Sequence, residues 1–250
     1  MFCPGFYDII TYDNSRILRR SFCAAVCFEV SMNGLVSPQV LYSYVIRALV
    51  MLIVIPFHEA AHALVSWKLG DSTAKDAGRL SLNPVRHFDP LGALCMVVGG
   101  VGWAKPVGIN PGRFKDPKRG MALSAAAGPA ANFLLAFVSM VIYKVVIYAS
   151  WGTAPEFVLD FLYYMVAMNI SLGVFNLIPV PPFDGSRIAL LFLPQRLYFK
   201  AMRYERYIMA AVLLLVFLGA LNRPLSACVG AAWKLLLKLT EFVEPAFGIG

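Results

Sequence analysis

Long apolar runs separated by short segments rich in Gly, Pro, Lys and Arg set the pattern of this chain. From Gln39 to about Leu69 the apolar character is interrupted only by Arg47, a few hydroxyls and the stretch His58-Glu59-Ala60-Ala61-His62. At ~1.5 Å per residue this run forms one helix long enough to cross a hydrocarbon core of ~30 Å, and Gly70 stops it. Met121 to Tyr148 and Phe157 to Ile178 predict a second and a third span, and Tyr207 to about Leu221 a fourth. Leu225 to Phe242 predicts a last helix with Lys234 and Lys238 on one face, a pattern that fits placement in the membrane interface. Leu91 to Val101 is apolar but too short to cross, and it runs into Gly99-Gly100-Val101-Gly102-Trp103. This predicts a short re-entrant or β element near the active site, with an edge that offers β-addition to an extended peptide. The fold class expected is therefore an all-α polytopic membrane protein with about four to five transmembrane helices. Residues 1–38 read as an N-terminal extension, at most interfacial, because the apolar stretch Ser21 to Val30 is too short to span and contains Glu29. Residues 39–222 then form the membrane-embedded core, and 223–250 the C-terminal hydrophobic or amphipathic helix.

Composition agrees with this reading. Of 250 residues, 59% are hydrophobic and only 14% charged, where an ordinary soluble domain carries about a quarter charged. The net charge of +8 does not call for nucleic acid, because Lys and Arg gather between apolar runs as the positive-inside rule expects of cytoplasmic loops. Lys68, Lys75, Arg79 and Arg86 place the end of the first span on the cytoplasmic side. The five cysteines are odd in number and scattered, which points to reduced thiols rather than a disulfide framework.

Chemistry enters with the HEAAH stretch. Residues i and i+4 of a helix share a face, so His58 and His62 can present two nitrogens to one zinc ion, and Glu59 is placed to take a proton from water there. A catalytic zinc wants a third protein ligand and one open position. Asp184 supplies it: it follows Pro179-Val180-Pro181-Pro182-Phe183, whose prolines end the third span on the same side of the membrane as the histidines. Asn176, at the helix break, is either the donor that polarises a scissile carbonyl or a capping amide. His87 reads as a loop histidine bonded to its own turn rather than a fourth ligand, which would close the water position. The small-residue stretch Ser124 to Asn132 predicts close helix packing. A metal-ion transporter and a catalytically silent binding scaffold are the alternative functions, although neither two related halves nor a missing catalytic residue is visible.

Taken in order, HEAAH, GDSTAKDAGRLSLNPVRHFDP, GWAKPV, AAAGPAANF and FNLIPVPPFDG resemble the site-2 protease family of intramembrane zinc metalloproteases, in its compact bacterial branch without a PDZ domain. The resemblance covers roughly Gln39 to Leu221. It implies one zinc ion held by His58, His62 and Asp184, a catalytic Glu59, and Asn176 and Pro182 bordering the cleft. It further implies single-span membrane proteins as substrates in a bacterial inner membrane, with the active site towards the cytoplasm.

Overall fold

A computed structural model describes residues 38–87, 89, 105, 107–181, 183–192, 194 and 204–248. The N-terminal extension, the Gly-Gly-Val-Gly-Trp stretch with its expected re-entrant or β element, and Pro182 lie outside the described residues. Among those described, all regular structure is helical, and three helices are long and apolar enough to cross a membrane.

Helix α1 (Pro38–Lys68) runs for 31 residues, about 46 Å at ~1.5 Å per residue. It ends in a Schellman motif. Gly70, at φ +108°, turns the chain so that its N–H bonds Trp67 O at 3.0 Å and Asp71 N bonds Ser66 O at 2.9 Å. The buried carboxylate of Asp71 then accepts from the backbone and hydroxyl of Thr73, in the short helix α2 (Thr73–Asp76), and from Asn110 N at 2.7 Å. One side chain thereby ties the end of α1 to the loop that leads into the next span. Burial by itself would raise the Asp71 carboxyl, but these hydrogen bonds, with Arg113 nearby, outweigh it and hold it below its usual value.

Helix α3 (Pro117–Ala149) starts as capping rules require, with Pro117 in its first turn and Asp116 accepting from Arg119 N at 3.1 Å. A tight turn at Trp151 and Gly152, both at positive φ, reverses the chain into α4 (Glu156–Asn176). Ile46, Val50 and Val54 of α1 pack on Met165 of α4, and Ala136 and Met140 of α3 pack on Val166 and Ile170 of the same helix. The three spans thus form one layer-crossing bundle with α4 touching both partners. The Arg47 guanidinium lies 5.1 Å from the centre of the Tyr164 ring, so this cation within the span rests on an aromatic face of α4.

Beyond the third span come α5 (Asp184–Leu191), α6 (Glu205–Phe217) and α7 (Asn222–Leu239). The predicted fourth span is a helix of 13 residues, about 20 Å long. The last helix does not stand apart from the bundle. Leu236 joins the core made by α3 and α4 while Lys234 and Lys238 stay exposed. Lys144 of α3, 6% exposed, donates to Glu244 at 2.8 Å and to Thr240 O at 3.2 Å, so it caps the C-terminal end of α7 with a buried cation.

Candidate metal centre

The site lies where α1, α3 and the start of α5 meet. His58 and His62 stand one turn apart on α1, each 6% exposed, with their Nε2 atoms 3.0 Å from each other. Asp184 reaches them from the first turn of α5, its Oδ2 at 3.2 Å from His58 Nε2 and 3.3 Å from His62 Nε2. This oxygen is buried and faces both rings, with no other polar partner. Burial alone would push the Asp184 carboxyl up; the facing imidazoles outweigh that and hold it at about 2.

Why Asp184 arrives there is local. The prolines after Ile178 end α4, and Phe183, buried, sets its ring 4.4 Å from that of Phe175, which pins the new helix against the end of the old one. Gly185 follows Asp184 within α5 and is not at positive φ. The reason for glycine is room: a Cβ there would lie 2.6 Å from Ile178 O and closer still to Leu177 O.

Helix α3 completes the site with residues that the sequence suggested only as packing. Ser124, Gly128 and Asn132 fall at i, i+4 and i+8, a single stripe facing the histidines. The Nδ1–H of His62 donates to Ser124 O at 2.7 Å, and Asn132, with no exposed surface, meets His58 Nδ1 at 3.1 Å. Between them Gly128 leaves space for both rings, since a Cβ at that position would come within 2.5 Å of His58 Cε1 and His62 Cε1. Asn132 carried a readable signal, because a polar residue inside an apolar span marks a functional site by default. The clearance at Gly128 did not, since only the packed structure reveals it.

The other predicted residues fall as follows. Glu59 is half-buried on α1, directly after His58 in the sequence. Asn176 gives one N–H of its amide to Leu172 O at 3.0 Å, in the last turn of α4. His87 is buried and pairs Nε2 with Ser81 O at 2.7 Å, within its own loop and outside the metal group. An open apolar groove of about 460 Å³ is lined by Phe57 and other apolar residues of α1, by Leu82 and Pro84, and by Phe161 of α4, and none of the three metal-group residues lines it.

The donor set fits zinc. Four ligands in a tetrahedron with bonds of ~2.0 to 2.1 Å lie about 3.3 Å from one another, and the three edges here measure 3.0, 3.2 and 3.3 Å. His62 already carries its proton on Nδ1, as the Ser124 carbonyl demands, which leaves the Nε2 lone pair directed at the shared point.

Comparison with known proteins agrees with this chemistry. A model of peptidase family M50 matches residues 143–219, which include Asn176 and Asp184. The "Putative zinc metalloprotease YwhC" of Bacillus subtilis is 38% identical over 167 residues, a match that covers 64% of this chain and 75% of that protein. The chain belongs to peptidase family M50, the site-2 proteases. A further relative, the "Putative zinc metalloprotease Rip2" of Mycolicibacterium smegmatis, is 27% identical over 133 residues, covering 51% of this chain and 49% of its own length. No solved structure matches.

Proposed function

We propose that this zinc metalloendopeptidase hydrolyses peptide bonds within or next to the transmembrane segments of other membrane proteins. The observation that carries the reading is the convergence of His58, His62 and Asp184 on one point inside helices apolar enough to span a membrane. We assign the metal to those three side chains. Bound there, zinc supplies Lewis acidity and lowers the pKa of a coordinated water towards ~7.

The residues of the chain do the rest. Ser124 and Asn132 hold the two imidazoles, and Gly128 keeps the space in front of them open. Glu59 takes the proton of the attacking water and returns it to the departing amine. Asn176 has a second N–H beyond the one given to Leu172, and that hydrogen is the donor for the scissile carbonyl. At roughly 10 Å and 16 Å from the Leu69 end of α1, His62 and His58 lie below one membrane surface. Basic residues cluster at this end of the bundle, from Lys68 to Arg86, from Arg113 to Arg119 and at Arg187, which supports a cytoplasmic orientation in a bacterial inner membrane. Single-span membrane proteins are the substrate class that such a buried site suits.

The test is the Glu59→Gln variant. Cleavage should be lost with zinc content unchanged, and comparative membrane proteomics should show single-span proteins accumulating in cells that carry it. Cutting at the wild-type rate by that variant removes Glu59 from the mechanism, and zinc movement across liposomes without any proteolysis would favour a transporter.

A further inference from the structure

Asn132 is fully buried on α3, and its contact with His58 Nδ1 at 3.1 Å is drawn with the amide nitrogen as donor. In that arrangement the proton of neutral His58 must sit on Nε2, the atom that faces His62 and Asp184. Its own Oδ1, equally buried, has no hydrogen-bond partner. A half-turn of the amide exchanges oxygen and nitrogen with almost no change of shape. It brings Oδ1 onto Nδ1, which then keeps the proton, and frees the lone pair of Nε2.

We propose that Asn132 is a positioning residue of the metal centre: its side-chain carbonyl accepts the Nδ1 proton of His58 and so turns Nε2 towards the metal. His62 has the matching partner two helical turns back along α3 in Ser124 O, at 2.7 Å. The stripe of α3 thus orients both imidazoles from behind, one through a main-chain carbonyl and one through a side chain. An amide costs less at this depth than a carboxylate, and it can donate to a metal-free ring and accept from a loaded one. Ligating histidines generally give their second N–H to such a partner, and its loss lowers metal affinity ~10- to 100-fold.

The inference rests on His58 being a ligand, so the experiment separates the two. The full chain in detergent is stripped of zinc and titrated against a chromophoric chelator, with cobalt(II) absorption as a second readout and the thermal melt of the metal-free protein as a fold control. Asn132→Leu, which fills the site with an apolar side chain, should weaken zinc binding ~10- to 100-fold and alter the cobalt spectrum. Asn132→Asp, an acceptor only, should keep affinity within about threefold of the wild type and preserve that spectrum. A Leu variant that folds and binds zinc as the wild type does overturns the proposal. So does an Asp variant that binds as poorly as the Leu variant, or, where the Leu variant does not fold, one that loses zinc. Wild-type zinc affinity in His58→Ala would instead remove His58 from the ligand set and leave the wider reading at fault.

Discussion

Gly128→Ala adds one methyl group between two imidazoles. That carbon would stand 2.5 Å from His58 Cε1 and His62 Cε1, against an ordinary carbon contact of about 3.5 Å, so roughly 1 Å of overlap must be relieved. The rings cannot swing away freely, because His62 is held by Ser124 O at 2.7 Å and His58 by Asn132 at 3.1 Å. Either those hydrogen bonds break or α3 withdraws from α1. Overpacking of this kind costs about 1 to 3 kcal/mol. Replacing a mid-helix glycine by alanine returns about 1 kcal/mol of helix propensity, so the net loss of stability should be about 2 kcal/mol or less and the protein should still fold. The site should suffer far more than the fold, since a displacement of ~1 Å at reacting groups lowers rates by about 10²-fold. The assay is cleavage of a single-span substrate in detergent, with zinc affinity and thermal melting followed in parallel. Gly108→Ala is the control, because a Cβ there meets nothing within 4 Å. Full activity and zinc affinity in Gly128→Ala would refute the claim that this glycine holds the site open.

Two further outcomes follow from particular side chains. Asp71→Asn sets an amide nitrogen against backbone or hydroxyl donors and should destabilise the protein by about 2 to 3 kcal/mol at neutral pH. Because the folded carboxyl lies below its ordinary 3.8, the stabilisation is complete above that value and is lost as pH falls through the lower folded one; the gap between variant and wild type in thermal melts should therefore hold from about pH 5 to 8 and shrink in stronger acid. Asn176→Ala should lower kcat about 10² to 10³-fold with KM little changed if its free N–H polarises the scissile carbonyl. Equal kcat in steady-state assays would leave it as the capping amide that its bond to Leu172 describes.

The long elements were legible because their signal is coarse. An unbroken apolar run bounded by glycine, proline or basic residues has few folds available in lipid, and α1, α3 and α4 begin and end within a few residues of their expected limits. The grouping of the three side chains was legible for a related reason: His58 and His62 are fixed by helical spacing, and Asp184 is the carboxylate that a proline-ended span returns to the same side. What surrounds the trio was not. Gly185 and Gly128 are required by approaches between segments distant in sequence, and spacing alone carries no trace of such a distance. Ser124 acts through its carbonyl, which every residue possesses, so its identity announces nothing. The docking of α7 was hidden as well, because two exposed lysines on one face suggest an interface while its other face meets α3 and α4.

Zinc X-ray absorption of the purified chain tests the account most directly. The wild type should bind one zinc per chain with nitrogen and oxygen neighbours only, at ~2.0 to 2.2 Å, including the outer-shell scattering of two imidazoles. Asp184→Asn should keep the helical content while zinc affinity falls. Sulfur in the first coordination sphere, or a spectrum that the loss of His58, His62 or Asp184 leaves unchanged, would contradict the assignment of the metal to these three side chains.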